Sequence, residues 1–588
     1  MGNLKELTAF GGDVKKLVVK KDEKFAGDKK PVFGIDLGTT NSAISIIHEG
    51  VLPQTIKLMN GKYTMPSCVM YHHGEFVVGD EAYRCRGGEN VIYSVKRMMQ
   101  DVGAEVTVRE GREEVTLTPA EVSAKILEGL VEQTGGIYGK VEDVVVTVPA
   151  YFNQNGVNAT KEACEIAGLN LIAIANEPTS ASLCYDLEPD DNGSKNVVIY
   201  DLGGGTFDVT YAKISGMDSE VEDDLADIYG FEKEGSGDSG KVVTTLAIDG
   251  DARLGGDDVD LAMLEILYKK LEAAGIDPGV FTDSYRERLI LRLEDLKKTN
   301  VKGIFEFLVD TIDRNGHEVK TKALLFPEDF RDAMQRVYLK SKSILERLLT
   351  KSGVTGGTIV LVGGSTKNAW LQEFLQEDFP SFRLDNALNP DLSVSNGAAI
   401  FGKVAKFGAE GIHIFDILPI TIGILDDGAV TPLVRNGTGL PAVSHRVFTT
   451  TYDDQDKLEV SIFQGNSTFR EECVHLGTLH IDGIPKAPAG EPNIVVGISI
   501  STNRFMRCEV EVGGEHRELE LDLSGEAGQA VKELNRTAKN VLRWRRLAED
   551  YSEDEKVTFL TLVDAYEQSG GDTESKKAVK SFLSGHAV

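Results

Sequence analysis

The stretch GIDLGTTN, Gly34–Asn41, returns with altered spacing as YDLGGGTFD, Tyr200–Asp208. In each, a strand-forming run ends on an acid, and glycines and hydroxyl residues follow at once in a tight turn. Glycine lets backbone N–H groups approach phosphate oxygens, threonine hydroxyls add donors, and an acid at the strand end suits a hydrated Mg²⁺. Either loop alone reads equally well as a plain β-turn. Together, and with LVGGST at Leu361–Thr366 as a third glycine turn after an apolar run, they predict a nucleotide held between two facing loops.

Outward from these loops the texture is that of an α/β protein. PVFGIDLG and AISIIHEG read as strands, and TPAEVSAKILEGLVEQ opens a helix at Thr118 and Pro119. The alternation runs from Pro31 to about residue 410. Beyond Gly411 the helices stop: LPITIGI sets Leu418, Ile420, Ile422 and Ile424 on one face, and KLEVSIF does so with Leu458, Val460 and Ile462. This all-β region extends to about Leu523, and a short helical end covers 524–588. Residues 1–30 read as a Lys-rich tail, and 216–240 as an acidic, Gly/Ser-rich insertion. That insertion imitates phosphate loops with GSGDSG and with Gly235–Lys241. Val242 stands where a Mg²⁺-binding hydroxyl is needed, however, and the β-branched run VVTTLAI follows where a helix should begin.

The 588 residues correspond to several domains, and 63 Lys and Arg against 93 Asp and Glu give a net charge of -30. Such a surface repels polyanions, so neither nucleic acid nor membrane is an expected partner. No apolar run approaches a membrane span, and the six cysteines are scattered without a C-x-x-C pair. A cytoplasmic location is expected.

The chain resembles the seventy-kilodalton heat-shock chaperones of the DnaK type. The resemblance rests on GIDLGTTNSAISI, VVVTVPAYFN, ATKEACEIAGLNLIAIANEPTSAS, YDLGGGTFDVT, ARLGGDDVD, IVLVGGSTK, NPDLSVSNGAAIFG and LPITIGI with RVFTTTYDDQ, in that order. It implies an actin-like, duplicated ribonuclease H-like ATPase domain of two lobes (31–410), a linker (411–416), a β-sandwich that binds peptides (417–523) and a short α-helical lid (524–588). It implies ATP or ADP with Mg²⁺. Asp36 and Asp201 would hold the hydrated metal, and Thr39, Thr40, Asn41, Gly203, Gly204, Gly205 and Thr206 would wrap the phosphates. Lys96 would orient the attacking water, with Glu177, Asp201, Thr206 and Asp208 completing the catalytic set. Glu294, Lys297, Lys298, Gly363, Gly364, Ser365, Lys367 and Asp391 fall on the adenosine side.

The same resemblance puts Ile422, Ile424, Phe448, Leu458 and Val460 along a peptide groove, with Asp426, Asp427 and Thr451 near its arch. The expected partners are unfolded or extended polypeptides, a dedicated J-domain co-chaperone and a nucleotide-exchange factor. Several positions depart from the family pattern. Lys367 and Val301 replace an arginine and a hydroxyl near the base, which predicts weaker nucleotide binding. Val157 and Ala173 replace arginines of the hinge and of the J-domain docking site, and His413 interrupts the apolar linker. The function expected is an ATP-dependent chaperone. The alternatives are a non-cycling relative acting as holdase or exchange partner, which Val157, Ala173 and His413 keep open and the retained Lys96, Glu177 and Thr206 argue against, and a sugar or acid kinase, which leaves the β-region unexplained.

Overall fold

The computed structural model describes residues 31–519 apart from 48–51, 186–192, 217–240, 300–301, 387–388, 408–411 and 427, and beyond them 558–563, 565 and 578. The N-terminal tail, the acidic insertion after Gly216, most of the helical lid, Val301 and Asp427 therefore lie outside the described residues. The chain divides into two compact units. The first takes in everything up to Ile420 together with Asn436–Ala442 and Ile500–Met506, and the second comprises Thr421–Arg435, Val443–Ser499 and the chain from Arg507.

Two sheets of the same topology build the first unit. In one, Val32–Leu37 pairs antiparallel with Asn41–Ile47 and, on its other side, parallel with Asp143–Val148, which is followed by parallel Asn170–Asn176. In the other, Ser194–Leu202 pairs antiparallel with Phe207–Gly216 and parallel with Gly357–Val362, which is followed by parallel Phe382–Asp385. The sequence repeat is thus a repeat of fold, and each glycine loop is the turn of the central hairpin. All six residues of Asp143–Val148 are buried, as are five of the six in Val32–Leu37. Burial on both faces is why these segments read as apolar runs rather than alternating strands.

The helix expected after Thr118 is Pro119–Glu132. Glu121 N–H donates to Thr118 Oγ1 at 3.2 Å, and Thr118 N–H donates to the Glu121 carboxylate at 2.7 Å, so a capping box fixes its start. Lys241 opens the strand Lys241–Asp251, as the β-branched run predicts, and not a helix; the rest of the Walker-like string lies outside the described residues. The segment read as a linker forms the strand Ile412–Phe415, parallel to Lys241–Thr244 at the edge of the second sheet. Leu418 and Ile420 are buried as their spacing requires, but the next strand starts only at Ile422. Pro419 has no N–H to continue a ladder, and Leu418 instead exchanges backbone hydrogen bonds with Gly437 and Thr438 at 2.8 Å.

The second unit carries two four-stranded antiparallel arrays. One has the order Ala429–Val434, Ile422–Asp426, Lys457–Gln464, Val474–Asp482; the other has Ala442–Phe448, Ile494–Ile500, Met506–Val512, Glu515–Leu519. Strict alternation in Ile494–Ile500, with Ile494, Val496, Ile498 and Ile500 buried, marks strands with one apolar face. Among the described residues no helix is long and apolar enough to cross a membrane.

Helix Ser393–Phe407 locks the first sheet to helix Glu177–Cys184, and the approach is closest at Gly397, where an added Cβ would lie 1.7 Å from Ser180 O. Backbone cannot retreat as a flexible side chain can. Gly397→Ala is therefore expected to destabilise the first unit by about 3 kcal/mol or more, read as a lower thermal midpoint or loss of soluble protein. An unchanged midpoint would show that the helices separate freely.

Candidate functional site

A cavity of about 440 Å³ opens between the two hairpins, a volume in the usual range for ligand pockets of ~300–1,000 Å³. Asp36, Thr39, Thr40 and Asn41 line it from the first loop, and Asp201, Gly203, Gly204 and Thr206 from the second. Lys96 and Glu177 also face it, as do Glu294, Lys297, Lys298, Gly363, Gly364, Ser365, Lys367 and Asp391. Every proposed nucleotide residue except Gly205 and Asp208 therefore reaches one cavity. Gly205 packs against Thr39 and Arg97 instead, and Asp208 lies behind the wall, where its Oδ1 accepts the Tyr151 N–H at 3.2 Å. The loops meet at Gly204, where a Cβ would come within 1.8 Å of Thr40 Oγ1, so a side chain there would displace the Thr40 hydroxyl.

Lys96 is not a solvated helix lysine. It sits 4% exposed in the short turn Val95–Met98, with its Nζ donating to Glu177 Oε1. Around this pair stand three more acids, Asp201 and Asp208 buried and Asp36 half-buried. Burial first, and then the Glu177 charge, push Asp36 up to about 7 against the relief offered by Lys96. Asp208 is likewise raised to about 7 by burial and Glu177. Asp201 is raised well above the ordinary carboxylate range by burial and by Glu177, Asp208 and Asp36. One lysine cannot neutralise four acids. Asp208 Oδ2 and Thr40 Oγ1 are moreover buried without a hydrogen-bond partner. A hydrated divalent cation beside the acids and phosphate oxygens beside Thr40 fit this donor set.

Among the residues expected on the adenosine side the charges are spoken for. Glu294 lies between Lys298 at 2.8 Å and Arg86 at 3.0 Å; burial raises its pKa, but Lys298 and Arg86 together outweigh this and hold it below the ordinary range. Lys297 donates to Asp260 at 2.6 Å and to Gly256 O at 2.8 Å, and Lys367 pairs with Asp391. Sequence reasoning missed Arg86, whose guanidinium also lies 4.2 Å from the Tyr93 ring centroid, and Asp257, which lines the cavity. It missed Thr147 too, whose hydroxyl donates to Asp36 at 3.2 Å. The acids of ARLGGDDVD were a visible signal; Arg86 and Thr147 carried none.

The residues expected along a peptide groove divide by burial. Ile422, Ile424 and Val460 are at most 2% exposed, whereas Phe448 and Leu458 are half-buried. Near the expected arch, Asp426 pairs with Arg446, and Thr451 donates from its backbone N–H to Gln455 at 2.9 Å.

The chain matches the family model described as Hsp70 protein over residues 32–227 and 238–580. The chain belongs to the Hsp70 family. The unmatched 228–237 fall inside the acidic stretch read as an insertion. Membership carries the two-lobed ATPase with its β-sandwich, ATP-dependent chaperone activity, adenine nucleotide with Mg²⁺, and unfolded polypeptides and co-chaperones as partners.

Asp36 and Asp208 hold protons in the folded chain up to about pH 7, while in the unfolded chain they lose them near pH ~4. The folded state thus binds more protons across this window, so its stability without metal falls as pH rises through it. In EDTA, the thermal midpoint of the wild type should fall from about pH 5 to about pH 8 more steeply than that of Asp208→Asn. Parallel pH profiles would contradict the raised acid.

Proposed function

We propose that the first unit of this Hsp70 family member binds MgATP between its glycine loops and hydrolyses it, and that the nucleotide state governs release of extended apolar segments held by the second. The observation that carries the catalytic part is the buried Lys96–Glu177 pair facing Asp36 and Asp201 across the hairpin turns. Asp36 and Asp201 would hold a hydrated Mg²⁺, which would supply stabilisation of the charge that develops on the transferred phosphoryl group. Thr39, Thr40, Asn41 and the Gly203–Thr206 turn hold the phosphates, and Lys96 orients the attacking water towards the γ-phosphate. Glu177, Thr206 and Asp208 fix that polar ring. This is catalysis by orientation and charge stabilisation, with no covalent intermediate.

Leu458 and Phe448, half-buried on their strands, suit side-chain pockets for a client. Burying one client leucine contributes roughly 1.5–3 kcal/mol, and micromolar binding needs about 8. Backbone pairing and flanking contacts must supply the rest, which is compatible with clients of many sequences. Lys367, a point charge paired with Asp391, offers no plane for the base to stack on, so nucleotide affinity is lower than an arginine there would give.

Ala173 and Val157 are at most 3% exposed, and each lies in an apolar cluster. Ala173 offers no carboxylate-binding cation to a generic J-domain, so stimulation falls to a dedicated J-domain partner, with a separate exchange factor, and Val157 offers no cation to the hinge proline Pro149. The same two positions support the second reading, a holdase or exchange partner that does not cycle.

Lys96→Ala separates the readings. It should keep ATP binding and lose single-turnover hydrolysis by at least ~10²-fold, about 2.7 kcal/mol of barrier. Near-normal turnover in the variant, or loss of binding in step with turnover, would sink the assignment.

A further inference from the structure

Arg504 is a buried cation that the nucleotide site as described does not use. It belongs to the Ile500–Met506 segment of the first unit and is 6% exposed. The segment turns tightly: Ser501 N–H donates to Phe505 O, and Arg504 N–H to Ser501 O, both at 3.0 Å. Arg504 has φ +64°, in the left-handed region where glycine or asparagine is the usual occupant. A long cation therefore occupies a strained backbone position and is stripped of water there, and both costs must be offset by what its guanidinium contacts.

Those contacts lead towards the catalytic acids. Arg504 Nη1 donates to Ala150 O at 3.5 Å, and Nη2 donates to Ile417 O at 3.3 Å and lies 3.7 Å from Asp416 Oδ2. Ala150 C=O and Tyr151 N–H are the two ends of a single peptide group, and that N–H is the one donated to Asp208 at 3.2 Å. A peptide group is planar, so holding its oxygen sets the direction of its N–H. Asp416, the partner of Arg504, also accepts a 2.6 Å hydrogen bond from Asn176 Nδ2. Asn176 directly precedes Glu177, the partner of Lys96.

The residues beside Arg504 fasten the turn in place. Asn503 Nδ2 donates to Ile172 O at 3.3 Å, and Phe505 packs on Val148, Phe152, Val157 and Ile174. Burial lowers the Arg504 pKa, and Asp416 and then Asp208 counter it. Val157 and Ala173 are apolar, so neither supplies a cation to this corner.

We propose that Arg504 is a positioning residue for ATP hydrolysis: its guanidinium fixes the Ala150–Tyr151 peptide against Asp208 and anchors Asp416, which in turn holds Asn176 beside Glu177. The proposal rests on the ATPase reading above and deepens it. Arg504 does not line the cavity, so its effect falls on turnover rather than on binding.

The test uses the full chain with Arg504→Gly, which relieves the left-handed strain and so keeps the turn, and with Arg504→Lys, which keeps the charge without the fork. Single-turnover hydrolysis, ATP affinity and amide exchange at Tyr151 are measured for each. Losing a charge-assisted contact at this peptide predicts a fall in turnover of ~10-fold for Arg504→Gly, with ATP affinity within about 2-fold of wild type. Tyr151 exchange should quicken by a similar factor, and Arg504→Lys should restore part of both. Adding Asp416→Asn to Arg504→Gly should cost little more, because the two act as one unit. Unchanged turnover together with unchanged Tyr151 exchange in Arg504→Gly overturns the proposal, as does a loss confined to ATP affinity. If the wild type itself fails to hydrolyse ATP, the ATPase reading fails, while the Tyr151 exchange comparison still decides whether Arg504 holds this peptide.

Discussion

Four carboxylates around one lysine, three of them buried and Asp36 half-buried, form the constraint around which the first unit is arranged. Asp36 and Asp201 stand on the inner strands of two hairpins of matching topology, Glu177 opens a helix between them, and Asp208 answers Asp201 across its own hairpin. Repulsion among acids stripped of water is severe, and Lys96 relieves only part of it. A site of this kind is held together by its surroundings: the sheets are buried on both faces, and helix Ser393–Phe407 fastens one lobe at Gly397. The cluster is thereby ready for a cation and for phosphate, the species that satisfy what the protein leaves unsatisfied.

The repeated acid–glycine–hydroxyl motif made much of this legible. The strands that carry Asp36 and Asp201 one residue before their ends could be placed because glycine turns punctuate them, and the duplicated sheets follow from the duplicated hairpins. Lys96 was legible only through its neighbours, since an isolated lysine in YSVKRMM carries no sign of burial. Arg86, Thr147 and Arg504 were not legible. Each acts across a long span of sequence, and no local pattern distinguishes a surface arginine from one whose guanidinium is enclosed by Asp416, Ala150 and Ile417.

Strand boundaries show the same limit. LPITIGI alternates without a break, yet its ladder begins at Ile422 because Pro419 cannot donate and Leu418 finds its partners in Gly437 and Thr438. The stretch read as a linker pairs with Lys241–Thr244 because that strand presents an open edge of backbone groups. Apolar spacing did not set burial in either stretch: Leu418–Ile424 is buried throughout, and His413 is half-buried like Ile412 and Ile414 beside it. The identity of the neighbouring strand determined the secondary structure.

The account holds that bound cation and nucleotide take over the charge balance that protons maintain in their absence. Isothermal titration of MgADP into the full chain at about pH 7, repeated in buffers of different ionisation enthalpy, measures the protons released on binding. With Asp36 and Asp208 near half-titration there, the account predicts release of about half a proton or more, and a smaller release for Asp36→Asn. Binding with no proton release, or with proton uptake, would contradict it.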